Sequence, residues 1–123
     1  MPKTVAVVGA SSDRNKFGNR ALRAFKAEGY RVIPINPNER EVEGMATYPS
    51  VLDVPERIDM ATLYVQPEVG LRLLPELEQK QIGEIWVNPG ADSDELLAEA
   101  RRRKLNVIAA CSIIAIGQNP SSF

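Results

Sequence analysis

The sequence predicts an α/β protein with one five-stranded parallel sheet, doubly wound in the strand order 3-2-1-4-5, with helices on both faces. Short, nearly continuous apolar runs alternate along the chain with segments of helical periodicity, and strands that are apolar on both sides must be covered on both faces. Each run also ends in small or polar residues, as in sheets that bind ligands at their carboxyl edge. The 123 residues predict a single domain, residues 1–116, and a flexible tail, residues 117–123.

The first strand leads into a small, hydroxyl-rich turn. An apolar run over residues 4–8 is followed by Gly9-Ala10-Ser11-Ser12 and then by a helix that ends at Gly29, since glycine adopts the left-handed cap conformation without strain. A dinucleotide fingerprint counted from Gly9 requires glycines at positions 11 and 14, where this chain has Ser11 and Arg14. The turn therefore predicts phosphate binding but not the ordinary NAD loop.

The second strand, residues 31–35, stops at Asn36-Pro37. Pro34 within it favours an edge position, because proline has no N–H for a neighbouring strand. The charged residues 38–48 predict a loop. Ser50 is a suitable cap for one short helical turn after it.

Three further strands and two helices complete the pattern. The strands are predicted over residues 60–65, 84–88 and 106–110. One helix is entered through Pro67 and contains Pro75, which should kink or split it. Asp92 and Glu95 predict a capping box for the other helix, residues 93–104. All strand ends then lie at one edge of the sheet: Gly9-Ala10, Asn36-Pro37, Gln66-Pro67, Asn88-Pro89 and Cys111-Ser112.

Composition excludes several classes of function. A net charge of −1 provides no basic field for a nucleic-acid backbone. The longest apolar stretch, residues 107–117, is too short to span a bilayer, and no signal peptide is visible, so the expected location is the cytoplasm. With no histidine and a single cysteine, histidine metal sites, Ser-His-Asp triads, phosphohistidine and structural zinc are excluded. No catalytic residue and no metal ligand is predicted.

Several elements occur together in a characteristic order: residues 7–11, residues 29–37, residues 48–55 and Cys111 after the last strand. In this order and spacing the chain resembles the stand-alone CoA-binding domain family, a Rossmann-like fold related to the CoA-binding domain of succinyl-CoA synthetase α subunits. The resemblance extends from Lys3 to about Ile116. It implies that the cofactor is coenzyme A, free or acylated.

The resemblance also implies where the ligand lies. Ser11, Ser12 and nearby backbone amides would hold the phosphates, and Asn36-Pro37 would lie near the adenosine. Residues 65–67 would flank the extended ligand, while residues 88–90 and Cys111 would lie towards pantetheine and its thiol. The predicted cofactor-binding residues are Gly9, Ala10, Ser11, Ser12, Arg14, Lys16, Asn36, Pro37, Val65, Gln66, Pro67, Asn88, Gly90 and Cys111.

Two departures from the family limit the comparison. The synthetase subunit carries its catalytic phosphohistidine in a second domain, whereas this chain has no histidine. The sequence Asn88-Pro89-Gly90 also differs from what is expected after the fourth strand.

The residues themselves favour the same ligand. Arg14, Lys16 and Arg20 cluster around the first loop and helical turns, and Arg40 follows the second strand. Cations strengthen hydrogen bonds to phosphate. NAD favours an acid at the end of the second strand, for the ribose hydroxyls, whereas this chain has Asn36 there. CoA, whose ribose carries a phosphate, fits better.

The predicted function is therefore binding of CoA or an acyl-CoA without catalysis, as a carrier, sensor or accessory module. One alternative is an enzyme, either an NAD(P)-linked oxidoreductase or the detached CoA-binding subunit of an acyl-CoA ligase. Another is an interaction module with a vestigial pocket. Beyond the small nucleotide ligand, the expected partners are a second copy of the chain or a CoA-using enzyme.

Overall fold

A computed structural model describes residues 2–123 and has the predicted α/β fold class, with one five-stranded parallel sheet. The strands are β1 (Thr4–Val8), β2 (Arg31–Ile35), β5 (Met60–Leu63), β6 (Glu84–Val87) and β7 (Val107–Ala109), with a small separate hairpin of β3 (Glu41–Val42) and β4 (Met45–Ala46). The helices are α1 (Phe17–Ala27), α2 (Pro67–Gln79), α3 (Asp94–Arg102) and the short α4 (Ser112–Ala115), with 3₁₀ turns at Val51–Asp53 and Pro120–Ser122.

The strand order is β2-β1-β5-β6-β7. When the five long strands are counted along the chain, this order is 2-1-3-4-5. The third strand therefore lies beside the first, whereas the order 3-2-1-4-5 places it outside the second. In either order the topological switch point, where a doubly wound sheet opens a ligand crevice, lies beside β1 on the side away from β2, here at the gap between β1 and β5.

Pro34 explains why, within residues 2–123, no long strand pairs with the outer side of β2. The backbone N–H and carbonyl of Ile35 point towards β1, since the carbonyl accepts from Gly9 N–H at 3.1 Å. In a parallel strand the backbone groups of successive residues point to opposite neighbouring strands, so those of Pro34 point away from β1. Proline has no N–H there to pair with a further strand. Tyr48 alone forms a bridge there, donating to the Pro34 carbonyl at 3.1 Å and accepting from Asn36 N–H at 3.0 Å. The predicted edge position of Pro34 is confirmed.

The sheet separates two apolar layers. Alternate residues of β1 point to opposite faces, so that Ala6 and Val8 join one layer and Val5 and Val7 the other. The first layer packs under α2, α3 and the 3₁₀ turn at Val51–Asp53, whereas the second packs under α1 and α4. Within residues 2–123, none of the helices combines the length and the apolar character needed to cross a membrane.

The helix ends show which capping predictions hold. Gly29 has a φ of +85° and follows α1 as predicted. The hydroxyl of Ser93 accepts from Leu96 N–H at 3.0 Å, so Ser93 caps α3 and the predicted capping box on Asp92 is wrong. Ser93, and not Asp92, is the cap because it lies three residues before Leu96, whose N–H points towards its hydroxyl. Pro75 lies inside α2 without ending it.

The predicted loop over residues 38–48 contains the β3–β4 hairpin. Glu43 and Gly44 form its tip with φ values of +50° and +78°, as a tight two-residue hairpin turn requires. Val42 is completely buried and anchors the hairpin on the α1 layer. Ser50 accepts from Leu52 N–H and caps the following turn as predicted.

Residues 117–123 lie beside α1. The guanidinium of Arg23 donates to the carbonyl oxygen of Phe123 at 2.8 Å and lies 5.9 Å from the centre of its ring. The flexibility predicted for this tail stays a prediction.

Candidate functional site at the carboxyl edge of the sheet

The site is centred on Gly9, at the switch point between β1 and β5. Gly9 has a φ of +92°, and a Cβ at this position would overlap the carbonyl oxygen of Tyr64. The two backbones are also joined by a hydrogen bond of 2.8 Å from Tyr64 N–H to the Val8 carbonyl. Only glycine therefore allows the end of β5 to approach the end of β1 this closely.

Gly18 brings the N-terminus of α1 against the same turn. It is buried, and a Cβ there would overlap the carbonyl oxygen of Gly9 and lie 3.1 Å from its carbonyl carbon. In dinucleotide-binding loops the third glycine allows this close packing of helix and strand. Here Gly18 has that role, nine residues after Gly9, so the missing glycine at position 14 is compensated by a longer loop.

A groove that we call the β2-side groove runs from Gly9 along α2 and has a volume of about 270 Å³. Its walls are largely apolar, with Asn36, Ser50 and Glu76 among the polar side chains. The Ser50 hydroxyl donates to the Glu76 carboxylate, which ties the 3₁₀ turn to α2. The lining residues are Val8, Gly9, Ile35, Asn36, Pro37, Asn38, Pro49, Ser50, Val51, Val65, Val69, Leu73, Glu76 and Leu77.

A second groove, the β6-side groove, lies on the other side of Gly9 and Val65 and has a volume of about 240 Å³. It opens onto the N-terminus of α1, where no side chain in the described part of the chain caps the helix and the first turn carries no acid. Phe17 stands at its rim with 52% of its surface exposed. The lining residues are Gly9, Lys16, Phe17, Gly18, Leu63, Tyr64, Val65, Gln66, Pro89, Gly90 and Ala91.

Glu39 holds the first loop against the end of β2. Its carboxylate accepts from Ser12 N–H at 3.1 Å and from the Ser12 hydroxyl, and it lies 3.4 Å from the amide nitrogen of Asn36. The Asn36 amide also donates to the Ala10 carbonyl at 2.7 Å. An acid is therefore present at the end of the second strand, three residues beyond Asn36, although the sequence argument against NAD had placed none there.

Two residues of α1 brace the first loop from below. Asn19 is completely buried and donates to the Ser11 carbonyl at 2.8 Å. Arg23 donates to the side-chain oxygen of Asn19 at 2.6 Å and to the Arg14 carbonyl at 3.1 Å. This brace was not predicted; the signal that could have indicated it is a polar residue in the first turn of α1, on the face that carries Ala21 and Leu22.

Asn88 points into the protein and not into a groove. It is 2% exposed, donates to Thr62 Oγ1 at 2.7 Å and to the Leu63 carbonyl at 3.0 Å, and accepts from Ser112 N–H at 2.9 Å. These bonds join β5, β6 and α4. Burial in the same cluster raises the pKa of Tyr64 to about 12, although its hydrogen bond with Ser112 opposes the shift.

The two grooves bring together half of the predicted site residues, and the others lie beside them. Lining a groove are Gly9, Lys16, Asn36, Pro37, Val65, Gln66 and Gly90. Ser11, Ser12 and Arg14 lie in the adjoining loop, Ala10 and Asn88 are buried, and Pro67 is the first residue of α2. Cys111 precedes α4 and lines neither groove. The sequence did not point to Glu39, Glu76 or Phe17 as residues of the site.

Residues 3–117 match the CoA binding domain family. The chain is 34% identical over 122 residues to an ADP-forming acetate–CoA ligase II of Archaeoglobus fulgidus, and the match covers 96% of this chain and 18% of the ligase. A 4-hydroxybutyrate–CoA ligase of Nitrosopumilus maritimus is 31% identical over 124 residues, 17% of its length. The chain thus spans less than one fifth of these ligases.

A solved structure of similar size supports the match. A conserved hypothetical protein from Pyrococcus furiosus superposes with a TM-score of 0.83 and 30% identity, over 94% of this chain and 99% of that one. The dinucleotide-forming acetyl-coenzyme A synthetase 1 of Ca. Korarchaeum cryptofilum superposes with a TM-score of 0.76 and 30% identity, over 89% of this chain and 26% of that enzyme. With a match from residue 3 to residue 117 and a glycine turn at the switch point of its sheet, the chain belongs to the CoA-binding domain family.

Proposed function

We propose that this protein binds coenzyme A, free or acylated, along the carboxyl edge of its sheet and does so without catalysing a reaction on it. The observation that carries the proposal is the pair of grooves that share Gly9 and Val65 at the switch point of a CoA-binding family domain. In this arrangement the adenosine occupies the β2-side groove. The pyrophosphate crosses the switch point, and the pantetheine follows the β6-side groove.

The size and character of the β2-side groove support its assignment to the adenosine. Small-molecule pockets measure roughly 300–1,000 Å³, so a groove of about 270 Å³ suits one part of CoA and not the whole cofactor. An apolar wall with a few polar side chains is also what a planar base requires.

The N-terminus of α1 supports the assignment of the pyrophosphate. The helix has 11 residues, long enough for a macrodipole whose positive end attracts anions. Lys16 stands at this end and lines the groove. An uncapped helix terminus with an adjacent ammonium group and no acid is suited to a phosphate group.

Phe17 supports the path of the pantetheine. Its exposed ring lines the β6-side groove beside Val65. An aliphatic chain lying over the ring would remove apolar surface from water, at about 25 cal/mol per Å².

Binding without catalysis fits the chemistry of the two grooves. Of the described residues, Lys16 and Glu76 are the charged side chains that line them, and Cys111 lines neither. The chain has no histidine to activate a thiol. A reducing compartment such as the cytoplasm fits its single cysteine.

Isothermal titration with CoA, acetyl-CoA and NAD tests this function. We expect both CoA forms to bind and to raise the unfolding temperature, since ligand at 100 times its dissociation constant contributes about 2.7 kcal/mol. Lys16→Ala should weaken CoA binding about tenfold, because a charge-assisted hydrogen bond is lost. Lys26→Ala, at the other end of α1, is the matched control and should leave affinity unchanged. Stabilisation by NAD but not by CoA would refute the proposal.

A second candidate, the detached CoA-binding subunit of an acyl-CoA ligase, is favoured by the identity of the relatives. An α subunit of an ADP-forming acetate–CoA ligase II from Pyrococcus furiosus is 34% identical over 82 residues, 18% of its length. If this chain acts with a ligase, it should restore CoA-dependent activity when added to such an enzyme lacking the matching domain. Failure to restore activity, with CoA binding intact, would leave binding alone as the function.

A further inference from the structure

Glu39 lies four residues beyond the last residue of β2, close to the place where an acid binds the ribose hydroxyls in doubly wound nucleotide-binding folds. It follows the carboxyl end of β2, and its carboxylate reaches to 3.4 Å from the Asn36 amide at the rim of the β2-side groove. An acid at this end of the second strand accepts hydrogen bonds from ribose hydroxyls in dinucleotide-binding domains. The same carboxylate already accepts from Ser12 N–H and the Ser12 hydroxyl, so it uses the donors that a phosphate would need.

None of the ion pairs found among the described residues includes Glu39, although Arg40 follows it in the chain. Arg14, the arginine of the first loop, forms an ion pair of 3.4 Å with Glu43. Glu43 also accepts from Asn19 at 3.1 Å. Two carboxylates from residues 39–43 therefore face the first loop, that of Glu39 paired with Ser12 and that of Glu43 with Arg14.

We propose that Glu39 is a specificity-determining residue, which disfavours a phosphate and favours a hydroxyl at the 3′ position of the bound ribose. A hydroxyl can donate to the carboxylate, whereas a phosphate can only repel it, and like charges brought together in a partly desolvated site oppose binding. On this basis the chain prefers dephospho-CoA and its acyl derivatives to CoA itself. The inference rests on the proposed function, because it assigns the ribose to the β2-side groove.

Titration of CoA and dephospho-CoA into the wild-type protein and two variants tests the inference. Glu39→Gln keeps the shape of the side chain, and its carbonyl oxygen can still accept from Ser12. We expect the ratio of the dissociation constant for CoA to that for dephospho-CoA to be about tenfold lower in this variant than in the wild type. Glu41→Gln is the matched control, because Glu41 is exposed on the hairpin that begins two residues after Glu39, and its ratio of the two dissociation constants should equal that of the wild type.

The outcomes separate the inference from the function on which it rests. A ratio that is the same in Glu39→Gln and wild type, or one that shifts towards dephospho-CoA, overturns the role of Glu39 while CoA binding stands. Absence of binding of both ligands to every variant, with thermal unfolding curves showing folded protein, overturns the proposed function and the inference together.

Discussion

Single residues decide whether the first loop can form at all. Gly9 has no Cβ and so leaves room for the Tyr64 carbonyl, and Gly18, nine positions later, leaves room for the Gly9 carbonyl in the same way. Asn19 and Asn36 then hold the loop carbonyls of Ser11 and Ala10 at 2.8 and 2.7 Å. The loop conformation is thus fixed by close packing at the two glycines and by the side-chain amides of Asn19 and Asn36.

Gly18→Ala tests this close packing. Alanine is favoured over glycine inside a helix by roughly 0.5–1 kcal/mol, but here its Cβ would overlap the Gly9 carbonyl oxygen. Overpacking of this kind typically costs about 1–3 kcal/mol, so after the gain from the alanine we expect a net loss of about 1 kcal/mol in the free energy of unfolding and weaker CoA binding. Urea denaturation measures the first and calorimetry the second.

Gly83→Ala is the matched control for this experiment. A Cβ at Gly83 would lie 3.5 Å from the Asp59 carbonyl oxygen, an ordinary contact. Stability of Gly83→Ala should stay within about 0.5 kcal/mol of the wild type. An equally mild effect at both glycines would contradict the packing argument.

The roles of these residues could be predicted from the sequence only where their partners are close in the chain. Gly9 was predictable because it directly follows an apolar strand, where glycine has a known role. The roles of Gly18 and Glu39 were not, because each depends on a partner brought close by the sheet. Glu39 lies 27 positions from Ser12, and no local pattern indicates that such residues meet.

At the scale of elements, the corner formed by β5, β6 and α4 is held by a buried polar cluster. Thr62 and Ser112 share a hydrogen bond of 2.7 Å, and Tyr64 reaches Ser112 at 3.1 Å. Asn88 completes the cluster from the end of β6. Fully bonded clusters of this kind fix one arrangement of the elements that carry them.

Tyr64 makes the stability of this corner sensitive to alkaline pH. Burial raises its pKa from 10.0 to about 12 in the folded state, so the folded protein binds the phenolic proton more tightly than the unfolded chain does. The resulting stabilisation is fully present below pH 10 and is lost as pH rises through about 12. Each pKa unit corresponds to about 1.4 kcal/mol, so the loss attributable to Tyr64 is about 2–3 kcal/mol.

Urea denaturation of wild type and Tyr64→Phe over this pH range measures the effect. The variant lacks the ionisable hydroxyl, so its free energy of unfolding should fall less steeply between neutral and alkaline pH. Identical slopes for the two proteins would show that Tyr64 does not titrate differently in the folded and unfolded states.

Elements were predicted more accurately than their arrangement. All five long strands and the three longer helices lie where periodicity placed them, to within about two residues at most ends. The position of the third strand, beside β1 and not outside β2, agrees with the edge position of Pro34, which was predicted but not applied to the strand order. The β3–β4 hairpin, with strands of two residues each, is too short for any periodicity to indicate.

For the whole molecule, the C-terminal segment, residues 117–123, decides how far the domain extends. The sequence predicts a boundary at residue 116, whereas the family match extends to residue 117 and Phe123 lies against Arg23 on α1. Arg23 also braces the first loop through the Arg14 carbonyl. Arg23 therefore connects Phe123 to the loop that carries the site.

Phe123→Ala distinguishes these two arrangements. A half-buried phenylalanine together with a cation–π contact contributes about 1–2 kcal/mol, so we expect the free energy of unfolding to fall by that amount. Ser122→Ala, at an exposed neighbouring position, should have no measurable effect. Equal stability of both variants and the wild type would instead identify residues 117–123 as a flexible tail, because a segment that makes no lasting contact cannot contribute to the stability of the fold.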